Sequence, residues 1–269
     1  MSSGVSIYMT TVVTIPPMLD DFSFESVSAQ LKSHGPNEPL VIDARQCKFA
    51  TPFGMTALLT IGQARTEKPA LLLPEAADTL RLWTRFGFMR QVESVYAISG
   101  AVPEAPLGNA NNLLLDVTRL ARNAGALNVV ERTQERLLGI FTHTLQLELP
   151  LATGLAADLS AWCRAVIGNS FHGGWVMAQV YQYKRSIGGN NVAVISISDS
   201  AGKKEPGESL NAFRRYVPRL DAKFVWRSDT MRVALLPGWD DHVARSDNLA
   251  PFHGTHLLAT VPGRRTTSV

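Results

Sequence analysis

The sequence feature that most constrains the fold is an apolar stripe in residues 154–169. Five apolar side chains recur there at positions i, i+3, i+4, i+7 and i+8, namely Leu159, Trp162, Cys163, Val166 and Ile167. This spacing places them on one side of a helix, and that side has to be buried against another element. Further helices are predicted over residues 128–146 and 210–217. Strand-like runs are found at residues 113–117, 175–184, 191–198, 223–228, 232–236 and 255–261. The second half is therefore predicted to be helices over a mostly antiparallel sheet, an α+β sandwich.

The first half alternates short apolar runs with helical patterns, which is typical of an α/β layer structure. Strands are predicted at residues 5–15, 40–42 and 71–73, and helices at residues 24–32, 55–64 and 76–86. Residues 101–110 contain two prolines, a glycine and an asparagine, so they are predicted to be a linker. The chain is thus divided into two predicted domains, residues 1–102 and 111–269.

Three large aromatic residues end the first half, Trp83, Phe86 and Phe88. A small domain does not readily bury that much apolar surface alone. The three are expected at the contact between the halves or at a dimer contact, with simple core burial as the alternative. The short linker favours two halves that pack as one unit.

Charge and cysteine content exclude several functional classes. The 26 basic and 23 acidic residues give a net charge of +3, too balanced to predict specific nucleic-acid binding. Cys47 and Cys163 are far apart in apolar surroundings, which favours buried free thiols over a disulfide. The first basic residue is Lys32, so the positively charged start of a signal peptide is lacking. No apolar run approaches the ~20 residues that a membrane-spanning helix needs. A cytoplasmic protein without a membrane segment is expected.

The first half carries a pattern of a strand ending in aspartate, a short loop, and a helix that opens at glycine. Its residues are Val-Ile-Asp at 41–43, Phe49, Gly-Met-Thr-Ala-Leu-Leu at 54–59 and Arg-Phe-Gly-Phe at 85–88. The pattern resembles a STAS domain, the module of anti-sigma-factor antagonists. Signalling members of that family carry a phosphorylatable Ser or Thr just before this glycine, where Phe53 stands here. Thr51 is nearby, and an N-cap of the helix is its favoured role.

The second half carries three segments in the order of a GHKL domain, the Bergerat-type fold of histidine-kinase-like ATPases. They are residues 158–170, residues 197–202, and Phe-His-Gly-Thr-His at 252–256 before a last strand. A STAS-like half fused to a GHKL-like half is similar to a bacterial family of ATP-binding regulators. With both halves counted, the resemblance covers most of the chain. It implies a nucleotide site with a glutamate and an asparagine on a helix, an aspartate after a strand, glycines beside it, and a late threonine.

Most of those site positions are changed here. The resemblance puts Ala161 in the place of the glutamate that orients water and Ala165 in the place of the asparagine that holds Mg²⁺. Alanine can do neither. Asp199 stands at the adenine-binding position, and Thr255 at the position of the supporting threonine. The predicted nucleotide-binding residues are thus Asp199, Gly202, Thr255 and Asn169. No catalytic residue and no metal ligand are predicted. For Asn169, a role as the C-cap at the end of the helix is the favoured alternative.

The expectation that follows is a cytoplasmic regulatory protein of the anti-sigma-factor-regulator type that acts by binding protein. Its degenerate nucleotide site is expected to bind ATP or ADP weakly or not at all. Two alternatives stay open, an ATP-dependent serine/threonine kinase of the anti-sigma type and a nucleotide sensor without hydrolysis. The implied partner is a sigma-factor regulator or a similar protein, with no specific nucleic acid and no membrane, and a homodimer is a further option.

Overall fold

The structure is a computed structural model that describes residues 11–99, 114–170, 172–182, 190–201, 210–238 and 243–264. In the first half, the elements are β1 (Thr11–Thr14), β2 (Met18–Leu19), α1 (Phe24–Leu31), β3 (Leu40–Asp43), β4 (Phe49–Ala50), α2 (Pro52–Gln63), β5 (Ala70–Leu72), α3 (Ala77–Arg85), α4 (Phe88–Val95) and β6 (Ala97–Ile98). Four of the strands form a parallel sheet in the order β1-β3-β5-β6, and β2 pairs with β4.

In the second half, the elements are β7 (Leu114–Leu120), α5 (Ala126–Gly139), a π-helical turn (Ile140–Thr144), α6 (Leu149–Asn169), β8 (Gly174–Gln182), β9 (Asn191–Asp199), a 3-10 helix (Ala212–Tyr216), α7 (Val217–Leu220), β10 (Lys223–Asp229), β11 (Met231–Leu235), β12 (Val243–Ser246) and β13 (Phe252–Pro262). The seven strands form one antiparallel sheet in the order β12-β11-β10-β13-β9-β8-β7. The mixed α/β class predicted from the sequence is confirmed.

Helix α6 covers one face of the seven-stranded sheet through the predicted stripe. Leu159, Cys163, Val166 and Ile167 are buried in one apolar cluster with the sheet, whereas Trp162 is only partly buried. Helix α5 packs beside α6 on the same face. Alternate residues of the central strands point into this cluster, as strand geometry requires.

Helix α2 covers the opposite face of that sheet and joins the two halves. Every residue from Pro52 to Gly62 is buried, because α2 packs against β8, β9 and β13 as well as against its own half. A helix that is apolar on all sides is stable only when it is enclosed in this way. Two buried hydroxyl contacts cross the junction: Thr56 Oγ1 lies 2.7 Å from Ser196 Oγ, and Thr60 donates to Ser198 Oγ at 3.0 Å.

The hydrophobic core therefore continues from one half into the other. A single buried cluster holds the aromatic residues predicted to lie at the contact, Trp83, Phe86 and Phe88, together with second-half residues such as Trp175 and Phe252. The backbone N–H of Val117 in β7 also donates to the Phe86 carbonyl at 2.9 Å. The predicted boundary between residues 102 and 111 lies outside the described residues.

Both cysteines are free and buried in the described structure. Burial raises the pKa of the Cys47 thiol to about 11 and that of the Cys163 thiol to about 12, so both stay protonated at neutral pH. Among the described residues, no helix is both long and apolar enough to cross a membrane.

Candidate functional site

Asp199 and Thr255, two of the predicted nucleotide-binding residues, lie directly opposite each other in the sheet. Asp199 is the last residue of β9 and pairs with Thr255 of β13, which in turn pairs with Ser228 of β10. Counting alternate residues from Ile197 and Leu257, which pack against α6, places all three polar side chains on the α6 face. The sheet thus forms a polar row across three adjacent strands, Asp199–Thr255–Ser228.

The polar row is buried and internally hydrogen-bonded. Asp199, Thr255 and Ser228 are only 1%, 2% and 1% exposed. Asp199 Oδ1 accepts a hydrogen bond from the backbone N–H of Ala201 at 2.8 Å, and the hydroxyl oxygens of Ser228 and Thr255 are 3.3 Å apart. A ligand that binds Asp199 must therefore displace the atoms that cover this row.

Two glycines flank Asp199 on the neighbouring strands, and neither was among the site residues predicted from the sequence. A Cβ on Gly174 of β8 would lie 1.9 Å from the Ser198 carbonyl oxygen, and one on Gly254 of β13 would lie 2.5 Å from the Asp199 carbonyl oxygen. Neither position can accept a side chain without moving backbone. In the sequence, the adjacent glycines at positions 173 and 174 could have indicated a close backbone contact here. Gly202, the glycine that was predicted, lies outside the described residues.

The positions expected to provide catalysis lie on an exposed face of α6. Ala161, Ala165 and Asn169 are all exposed at a spacing of four residues, and Asn169 is the last residue of the helix. The chain then turns through Ser170, whose hydroxyl donates to the Gly173 carbonyl at 2.9 Å, and enters β8. The first residue of β8 pairs with Asp199, so the end of α6 and the polar row lie at the same end of the sheet.

The chemistry of the residues differs between the two ends of the predicted site. Asp199 and Thr255 carry side-chain oxygens that can accept a hydrogen bond such as one from an adenine amino group. Ala161 and Ala165 offer no ligand for Mg²⁺. Within the described ranges, no group of three His, Cys, Asp or Glu side chains is placed to hold a metal ion.

Aromatic residues follow the polar row along the same face of the sheet. Trp226, two residues from Ser228 in β10, is 1% exposed, and Phe213 of the 3-10 helix stacks on Phe224 with ring centroids 4.7 Å apart. Asp199, Thr255 and Asn169 line none of the three cavities formed by described residues, although one of these cavities includes Ser200 and Ala201, which follow Asp199.

A buried charge pair connects the two halves on the other face of the sheet, and it was not predicted from the sequence. Arg227 of β10 is 1% exposed and donates to both carboxylate oxygens of Glu25 in α1, at 2.9 and 3.0 Å. It also donates to the Ala250 carbonyl at 2.6 Å and to the Asp229 carbonyl. This two-pronged geometry is the strong form of the arginine–carboxylate contact.

His256 lies beside this pair in an aromatic cage. Its ring is fully buried, with centroids 4.8 Å from Phe53 and 4.9 Å from Phe252, and neither ring nitrogen has a hydrogen-bond partner. Burial, aided by the nearby Arg227 charge, lowers the pKa of His256 to about 3. The imidazole is therefore neutral in the folded protein at physiological pH.

Phe53, which the resemblance to STAS domains puts at the phosphorylation position, forms part of that cage. It is 1% exposed and also meets the ring of Phe24 edge-on at 5.4 Å. Thr51 caps α2 as predicted, since its side chain accepts a hydrogen bond from the Gly54 N–H at 3.3 Å. The loop before α2 is thus held by the packing between the halves.

Comparisons of this chain with family models, with curated proteins and with solved structures found no match. The resemblance to STAS and GHKL domains accordingly stays a prediction carried by the residues quoted for it. Function is inferred from the polar row, the exposed face of α6 and the junction between the halves.

Proposed function

We propose that this chain is a regulatory protein that acts by binding another protein, with a degenerate nucleotide site that binds ATP or ADP weakly or not at all. The observation that carries the proposal is the contrast between the two ends of the predicted site. Asp199 and Thr255 lie side by side on one face of the sheet, whereas Ala161 and Ala165 occupy the exposed helical face where catalysis would need a carboxylate and an amide.

Loss of both groups removes what hydrolysis and phosphoryl transfer need from the protein. The carboxylate would orient the attacking water or hydroxyl, and the amide oxygen would hold Mg²⁺. Their joint absence is expected to cost on the order of 10³-fold or more in rate. Protein binding is the mode of action that the resemblance then favours, with a sigma-factor regulator or a similar protein as partner.

The junction between the halves supports the same proposal. Phe53 fills the position where the related signalling modules are phosphorylated, and its ring is enclosed by Phe24 and His256. A switch at that position would have to break the shared core. We therefore infer that the first half serves as a fixed platform for the second.

Calorimetric titration with ATP tests the nucleotide part of the proposal. The titration is run with Mg²⁺ and again with EDTA on the unaltered protein, on Asp199→Ala, and on Asp247→Ala as a control at an exposed aspartate. Any binding should be weak, equal with and without Mg²⁺, absent in Asp199→Ala and unchanged in Asp247→Ala. Tight ATP binding that disappears in EDTA would overturn the proposal and favour the kinase alternative.

A further inference from the structure

We propose that a cleft between the two halves binds a small oxyanion, a phosphate or a carboxylate. The cleft has a volume of about 620 Å³ and lies where the end of α2 meets the segments at the ends of β8, β9 and β13. This size is within the range of small-molecule sites. Its polar lining consists of Gln63, Arg65, Thr66, His172, Ser200 and His253.

Arg65 is the central group of this cleft. It follows α2 directly, is partly buried, and donates through Nη1 to the Gly35 carbonyl. Within the described part of the chain, no carboxylate forms an ion pair with it. Burial lowers the pKa of Arg65, while Tyr96 and Glu38 act on it in the opposite direction. A partly desolvated guanidinium whose charge is not paired favours an incoming anion, because its planar fork matches carboxylate and phosphate oxygens.

The other polar groups of the lining can donate hydrogen bonds to an anion through hydroxyl and imidazole groups. Ser200 Oγ is buried and has no hydrogen-bond partner, which leaves a hydroxyl without its usual compensation. His172 and His253 present imidazoles at the exposed rim. None of the described residues that line this cleft is an Asp or a Glu, although Glu38 acts on Arg65 from outside the lining. The one permanent charge among the described lining residues is therefore the positive charge of Arg65.

Gln63 lines the cleft and connects the first half to the second through its side chain. Its side-chain oxygen accepts from Trp175 Nε1 at 2.9 Å, and its amide nitrogen donates to the His172 carbonyl. Both polar ends of Gln63 are therefore engaged by the second half. The lining is preorganised on this side, which lowers the entropy cost of binding.

A narrow, mostly apolar extension adjoins the cleft at Arg65 and His253. It lies between Leu31, Ile61 and Phe252, and its volume is about 30 Å³. That is room for about one methyl-sized group or one water molecule, so at most a short alkyl group of a ligand could enter it. The lining of the cleft does not include the predicted nucleotide-binding residues Asp199, Thr255 and Asn169.

Calorimetric titration with inorganic phosphate tests the proposal, with acetate and butyrate as further arms that separate a phosphate ligand from a carboxylate ligand. At least one of the three should bind saturably, and Arg65→Gln should weaken that binding roughly tenfold or more. Arg81→Gln, an exposed arginine paired with Asp78, is the matched control and should bind as the unaltered protein does.

One more variant makes the test decisive. Because Arg65 also binds the Gly35 carbonyl, the exposed His253→Ala variant repeats the test without touching that hydrogen bond and should also bind more weakly. The proposal is overturned if none of the three anions binds saturably in the millimolar range, or if the Arg65 and His253 variants both bind as the unaltered protein does.

Discussion

Replacing Glu25 by glutamine tests whether the two halves are held together by a buried charge pair. The substitution keeps the shape of the side chain and removes its charge. Arg227 then stays 1% exposed and loses the carboxylate that accepts two of its hydrogen bonds, while the Ala250 and Asp229 carbonyls remain as acceptors. An uncompensated buried charge is one of the few features for which a single substitution costs several kcal/mol.

The expected cost follows from the exposure of the two partners. Removing one partner of a buried ion pair costs about 3–5 kcal/mol. The Glu25 side chain is 25% exposed, which puts the pair at the lower end of that range. We therefore expect Glu25→Gln to lower the free energy of unfolding by about 3 kcal/mol, which corresponds to a melting temperature roughly 6–12 °C lower.

Urea unfolding followed by circular dichroism and by tryptophan fluorescence is the assay. The control is Asp247→Asn, which removes the charge from a pair whose side chains are 57% and 50% exposed, and it should cost less than about 1 kcal/mol. Because the core continues across both halves, the two probes should give one shared transition, and Glu25→Gln should shift all of it. A change below about 0.5 kcal/mol, or a shift confined to one of two separate transitions, would refute the reasoning.

Two further substitutions address the aromatic cage between the halves. Phe53→Ala removes a ring that is 1% exposed and should lower the free energy of unfolding by about 3–5 kcal/mol. The control Phe22→Ala removes a ring that is 64% exposed and should change this free energy little. Similar effects of the two substitutions in urea unfolding would contradict the packing described. His256→Leu tests the pH dependence. The folded pKa of His256, about 3, lies below its ordinary value of 6.5, so stability is full above pH 6.5 and is lost as pH falls toward 3, by about 1.4 kcal/mol per pH unit. The variant should lose this one-proton slope between pH 6 and pH 4, and equal slopes in both proteins would show that His256 does not titrate in this way.

Local features of the fold could be predicted because their causes are local. The cap at Thr51 follows from a hydroxyl before proline at the start of a helix, and the α6 stripe follows from helical periodicity. The pairing of Asp199 with Thr255 was reached differently, through the resemblance to a family with that arrangement.

The junction could not be predicted, because its contacts join distant parts of the chain. Glu25 and Arg227 are 202 residues apart, and an arginine within a strand gives no sign of its partner. Residues 55–61 carry no charged side chain on any side of α2, a pattern that indicates burial on every face but does not identify which elements provide it. The helix Phe88–Val95 was also missed, because it starts directly after Gly87, whose backbone φ of 77° separates it from α3.

ATP turnover by the repurified protein is the most direct test of the central claim that the predicted site has lost its catalytic end. Hydrolysis and phosphate transfer to the protein or to an added protein partner are measured with Mg²⁺, with Asp199→Ala in parallel. The proposal predicts no turnover above the no-enzyme background, because Ala161 cannot orient a water or a hydroxyl. Steady turnover that survives repurification and is lost in Asp199→Ala would contradict it and establish the chain as an enzyme.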